Sequence, residues 1–267
     1  MLFSIILLCL KSTMSLIKSK AEIEKMRYGG KILSNILHDL KKMIKPGLKV
    51  MDLETKFLKL CDINQVEPSC KNYRTGGLPP FPTGLCISIN DQAVHCYPHN
   101  DVILNEGDTI AIDTVINYQG MHADSAFTLA VGNVDKDIAR FLAITQMAAS
   151  AAIKEAKVGN YIGDISYSMQ TIMQLAGFNV LRDFVGHGIG KDMHEQPDIP
   201  CYGKKGQGMP IQKGMTLAIE TLACQGDFEI DYPGPDAWQT RMADGKNFAI
   251  FEHTILVTDK GPVILTK

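Results

Sequence analysis

The 267-residue chain has no C-x-x-C pair, and its seven cysteines are an odd number with no framework spacing. That argues against a disulfide scaffold and for a reducing, cytoplasmic compartment. Ser-, Gly- or Pro-rich linkers and long runs of one charge are missing too, so nothing divides the chain into separate units. A formal net charge of -2 gives no global attraction to polyanions, and neither nucleic acid nor membrane is expected as a partner. No apolar stretch reaches the roughly 20 residues that span a bilayer. The longest candidate, MLFSIILLCL at the start, has no basic residue before it and no clean small-x-small cleavage site after it. Met14 opens MSLIKSKAEIEKMR, which reads as an ordinary beginning. Residues 1–13 are therefore expected to be a non-native leader or a disordered N-terminus, and 14–267 one continuous domain.

Hydrophobic residues make up 45% of the chain, enough for a sizeable core. The pattern is duplicated. Ala21 to Leu40 and Met51 to Cys61 read as amphipathic helices, and Ile138 to Ala156 and Ile165 to Leu175 repeat the pair. The connectors Lys45-Pro46-Gly47-Leu48-Lys49-Val50-Met51-Asp52 and Lys157-Val158-Gly159-Asn160-Tyr161-Ile162-Gly163-Asp164 match, each with a glycine to end one helix and an Asp to cap the next. The strands that follow match as well: Gly107-Asp108-Thr109-Ile110-Ala111-Ile112-Asp113 beside Gly214-Met215-Thr216-Leu217-Ala218-Ile219-Glu220. A duplicated helix-helix-strand unit about a pseudo-twofold axis would bring Asp113 and Glu220 together at its centre.

Two more acids sit in strand-like surroundings. Ile110 to Ile116 and Met121 to Val131 are strands joined at Asn117-Tyr118-Gln119-Gly120, and a loop of Tyr118 and Gln119 puts Asp113 directly opposite Asp124. Carboxylates so placed, about 5 Å apart at Cβ, repel unless a cation lies between them. Glu252 stands in the middle of the apolar run Ala249 to Val257. One such acid is often merely solvated, whereas four on paired, repeated strands call for a shared partner. His187, in Gly186-His187-Gly188-Ile189-Gly190, is the candidate imidazole, its glycines leaving the backbone free for close approach to a ligand. Four carboxylates and an imidazole suit two ions of Mn, Fe(II), Co or Zn better than a structural zinc site. Such a pair can share a hydroxide as nucleophile, which points to hydrolysis.

These residues carry a resemblance to the type I methionine aminopeptidases. It runs from about Ala21 to Leu265 and rests on Cys86-Ile87-Ser88-Ile89-Asn90 leading to His95, Ile112-Asp113 with His122-Ala123-Asp124, Gly186 to Gly190 with His194-Glu195-Gln196-Pro197, Ile219-Glu220, and Phe251-Glu252-His253-Thr254. It implies an α+β pita-bread fold: duplicated halves around a central curved antiparallel sheet. It implies that Asp113, Asp124, His187, Glu220 and Glu252 hold two divalent ions. His95 would meet the substrate amine or peptide, His194 would hydrogen-bond the scissile carbonyl, and Glu220 would shuttle a proton. Phe81, Cys86 and Trp238 would line the pocket for the Met side chain. The implied reaction removes the initiator Met from nascent chains whose second residue is small, by a monomeric enzyme acting on N-termini at the ribosome. A proline-specific aminopeptidase with the same cage, or an adaptor of the same fold without metal, are the alternatives. Three departures stand out: Cys96 where the family usually has Gly, Thr221 where it has Pro, and a divergent stretch from Gln225 to Asn247 that holds Trp238.

Overall fold

A computed structural model describes residues 16–233 and 238–267. The expectations for residues 1–13 and for a start at Met14 lie outside the described residues. Helix α1 (Lys20–Met43) begins at a capping box in which Ser19 and Glu22 satisfy each other's free backbone N–H groups. It buries Met26, Leu33, Ile36, Leu37 and Leu40 on one stripe. Gly30 lets that stripe approach closely, since a Cβ there would strike the backbone of Leu265. Helix α2 (Val50–Asn64) follows; α3 (Lys136–Glu155) and α4 (Ile162–Leu175) repeat the pair. Among the described residues no helix is long and apolar enough to cross a membrane.

The strands are β1 (Glu67–Pro68), β2 (Cys86–Ile89), β3 (Thr109–Tyr118), β4 (Met121–Ala130), β5 (Asn179–Val180), β6 (Val185–Gly188), β7 (Glu195–Pro200), β8 (Thr216–Cys224), β9 (Ile230–Asp231), β10 (Arg241–Met242), β11 (Phe248–Thr258) and β12 (Gly261–Ile264). Ten of them form one sheet in the order β1-β3-β4-β11-β8-β6-β7, with β2 on β3, β12 on β11 and β5 on β8. All its pairings are antiparallel. Read outward from the β4–β11 contact, β3 and β2 on one side face β8 and β6 on the other, which is the expected pseudo-twofold plan.

The duplication extends to single hydrogen bonds. Gly107 and Gly214 both have positive φ, and their N–H groups bond Val131 and Val257. Leu48 N–H bonds Lys45 O as Asn160 N–H bonds Lys157 O. The cap assignment needs correcting. Lys49 and Tyr161 occupy the N-cap positions, and the two Asp residues lie in the first turn, where Asp164 accepts from the Tyr161 N–H at 2.8 Å. A first-turn carboxylate still suits the positive helix end.

The hairpin register differs from expectation by two residues. Tyr118 pairs with Met121, so the loop is Gln119-Gly120, both with φ above 50° as a type I′ turn requires. Asp124 therefore faces Val115, and Asp113 faces Ala126. Because the slip is two residues and side chains alternate, both carboxylates keep the same face of the sheet. Gln119→Asn should raise stability by about 0.5 kcal/mol, since Asn tolerates the left-handed region better; urea denaturation of the two proteins checks it.

Candidate metal centre

The central strands deliver the acids to one point. Glu220 and Glu252 are directly opposed on β8 and β11, and Asp124 on β4 and Asp113 on β3 continue the row. His187 on β6 pairs with Ala218, two residues from Glu220 on the same face. Donor atoms of Asp124, His187 and Glu252 lie within 4.8 Å of one another, and all three residues are buried. His187 Nε2 is 3.7 Å from Asp124 Oδ2.

Electrostatics make this cluster expensive without a cation. Burial pushes Asp113 up to about 7. Burial and then the charge of Asp113 push Glu220 up to about 8. Asp124 is raised well above the usual carboxylate value by burial and then chiefly by the charge of Asp113, and Glu252 by burial and then by the charges of Asp124, Glu220 and Asp113. Asp124 Oδ1 is buried with no hydrogen-bond partner among the described residues. By contrast the imidazole is ready to ligate: burial lowers the pKa of His187 to about 3, leaving it neutral. Its Nδ1 lies 2.9 Å from the Gly188 carbonyl, which fixes the proton there and leaves the Nε2 lone pair toward Asp124. A divalent cation satisfies the orphan oxygen and removes the repulsion.

The motif glycines serve packing rather than ligand approach. A Cβ at Gly186 would lie 2.7 Å from the Ala218 carbonyl, one at Gly188 would strike the Gln196 backbone, and one at Gly190 would strike Lys18 and Glu195. Lys18 and Glu195 form a buried ion pair at 2.7 Å that ties the segment before α1 to the residue after His194.

The cluster floors a cavity of about 280 Å³. The five sequence-derived site residues outside the cage, His95, His194, Phe81, Cys86 and Trp238, line it together with the cage. Trp238 stands edge-on to Phe81 and His95, at 5.2 and 6.0 Å between ring centroids, and donates Nε1–H to Pro79 O at 2.8 Å. His95 adopts φ 62°, a left-handed conformation uncommon outside glycine. Its pKa falls to about 4 through burial and the neighbouring His194. His194 contacts the His187 ring at 4.5 Å and places Nδ1 3.1 Å from the Tyr73 hydroxyl. Sequence reasoning missed Cys70, Tyr73, Phe184 and Met193, which complete the wall. Phe184, three residues before His187, was the one with a positional signal; Cys70 and Tyr73 come from an irregular loop that only the tertiary fold brings in.

The profile of metallopeptidase family M24 matches residues 24–259. The chain belongs to metallopeptidase family M24. It is 38% identical over 253 residues to the methionine aminopeptidase of Clostridium acetobutylicum, covering 95% of this chain and 99% of that one. With the methionine aminopeptidase of Mycoplasma capricolum it shares 40% identity, covering 94% and 98%. The solved methionine aminopeptidase of Thermotoga maritima superposes with a TM-score of 0.90 at 39% identity, covering 94% and 98%. A prolidase from Pyrococcus horikoshii shares the fold at a TM-score of 0.72 and 22% identity. Family membership and the buried Asp/His/Glu cluster together point to divalent metal binding.

Within this M24 chain the departures have local explanations. Cys96 does not line the cavity: its thiol is buried, raised to about 11, and donates to Thr240 O at 3.2 Å. Cys96 therefore has no direct contact through which to alter substrate specificity. Cys96→Gly should leave peptide hydrolysis at the wild-type level or above while costing about 1–2 kcal/mol of stability; kinetics alongside thermal unfolding separate the two. Thr221 is fully buried, with its hydroxyl unpaired among the described residues.

Proposed function

We infer that the chain is a methionine aminopeptidase, releasing N-terminal Met from nascent chains whose second residue is small. The observation that carries this reading is the cluster's position on the floor of a cavity sized for one side chain, walled by aromatic and sulfur-bearing residues. Asp113, Asp124, His187, Glu220 and Glu252 would hold two divalent ions, of Mn, Fe(II), Co or Zn. When bound, such ions supply charge neutralisation and Lewis acidity at the scissile bond.

The remaining work falls to the protein's own groups. Phe81, Cys86 and Trp238, with Tyr73 and Phe184, exclude water and hold the Met thioether, for which aromatic edges are good partners. His95, neutral at pH 7, meets the substrate amine or peptide. His194 hydrogen-bonds the scissile carbonyl and the charge that develops on it. Glu220, deprotonated as one of the proposed ligands, can take up a proton and return it to the leaving amine. The Tyr73 hydroxyl orients His194 through Nδ1. Tyr73→Phe should lower kcat about tenfold with little change in KM, as steady-state kinetics will read. The six cysteines among the described residues are free and buried, which suits a reducing, cytoplasmic setting, where we place a monomer acting at the ribosome.

The test is hydrolysis of Met-Ala-Ser, Pro-Ala-Ser and N-acetyl-Met-Ala-Ser by the metal-loaded protein. Release of Met from the first peptide alone supports the reading. Cleavage of the proline peptide, or of the blocked one, replaces it with another specificity, and a folded, metal-binding protein that cleaves none is an adaptor.

A further inference from the structure

A second cavity, of about 510 Å³, lies on the far side of the sheet from the carboxylate cluster. Ser125 and Phe127 of β4 and Phe251 and His253 of β11 line it, alternating with the cage residues Asp124 and Glu252 along the same strands. Helices α1 and α3 form its sides.

Its lining is cationic. Lys41 comes from α1, Lys154 from α3, and Lys267 closes the rim, beside the imidazoles of His38 and His253. No Asp or Glu side chain is among its lining residues, in a chain whose net charge is -2. None of the three lysines forms an ion pair among the described residues. The Lys41 ammonium sits 4.2 Å over the Phe127 ring, and burial lowers its pKa. His253 places Nδ1 2.9 Å from the Thr266 hydroxyl, next to Lys267 in the chain. Like charges gathered in a recess repel, and a dianion between them offsets that repulsion. The volume is that of a small-molecule site rather than of an inorganic ion alone, and its floor offers the half-buried Phe251 ring. The cations converge into one recess between two helices instead of forming the open stripe that a polymer backbone would follow.

We propose that this cavity binds a small phosphate monoester, its phosphate among Lys41, Lys154 and Lys267 and its organic part on Phe251. The site is independent of the peptidase reading, and its test does not use activity. Isothermal titration of the metal-loaded protein with adenosine 5′-monophosphate should show one saturable site that adenosine does not fill. A Lys41→Gln/Lys154→Gln double variant should weaken binding about tenfold or more, Lys41→Arg should retain it, and the cage variant Asp124→Asn should retain it as well. No saturation at millimolar nucleotide would overturn the proposal. So would binding that ignores the lysine changes but disappears in Asp124→Asn, because the phosphate would then sit at the metal centre. A short single-stranded RNA that binds as tightly as the nucleotide would overturn the small-ligand assignment.

Discussion

Asp124→Asn should abolish peptide hydrolysis and at the same time stabilise the metal-free protein. The two effects have one cause. Asp124 lies between His187 and the row of carboxylates, with one oxygen that no protein group satisfies. In the loaded protein its loss would remove one of the five proposed ligands, and activity should fall by about three orders of magnitude or more. In the stripped protein the same change removes one of four crowded buried carboxyl groups and supplies an amide donor. Stability should then rise by about 1–3 kcal/mol. Thermal unfolding in chelator, beside kinetics with metal restored, reads both signs. A variant that is inactive and also less stable without metal would mean that Asp124 is a structural acid rather than a ligand.

Between about pH 6.5 and 8 the metal-free protein should lose stability as pH rises, and metal should reverse the trend. Folding raises Asp113 to about 7 and Glu220 to about 8, and raises Asp124 and Glu252 as well. In this window the native state holds protons that the unfolded chain has already released, so unfolding becomes easier as pH increases. Each group that is still protonated contributes a slope of up to about 1.4 kcal/mol per pH unit. Buried histidines act in the opposite direction, but lower down. His95, His187 and His253 are depressed to about 4, 3 and 4, so the stability they remove in acid returns as pH rises through the unfolded value of about 6.5 and is nearly complete by about pH 7.5. They oppose the carboxylates in the lower part of the window and no longer do so in its upper part. Divalent ions require the deprotonated ligands, so their stabilisation grows with pH over the same range. Denaturant titrations at pH 6.5, 7.25 and 8, with and without metal, should diverge; parallel curves would show that the four acids are ordinarily solvated.

The duplication was legible because it left both a hydrophobic period and matching turn residues: Gly47 and Gly159, Gly107 and Gly214, and the acids that follow. Asp113, Glu220 and Glu252 stood out as charges inside apolar strands, which is a contradiction a sequence displays openly. The hairpin register was harder, since Tyr118 and Gln119 look as loop-like as Gln119 and Gly120 until the positive φ of both central residues is counted. The walls of the cavity were less visible still. Tyr73 and Cys70 lie in a loop without periodicity, and nothing local marks Lys18 as the partner of Glu195, 177 residues away. The glycines around His187 were noticed for the wrong reason: their neighbours are the strands and the ion pair behind them. The cationic recess was invisible for a similar cause, as its lysines come from α1, α3 and the last residue and share no motif.

The most direct test of the metal cage is a titration of the stripped protein with Mn, Co, Zn or Fe(II), counting bound ions by mass spectrometry under native conditions while following release of Met from Met-Ala-Ser. Two ions per chain, with activity appearing as they bind and both lost in Asp124→Asn, is the expected result. Release of Met at full rate by protein free of metal, or ions that bind equally well to Asp124→Asn, would contradict it.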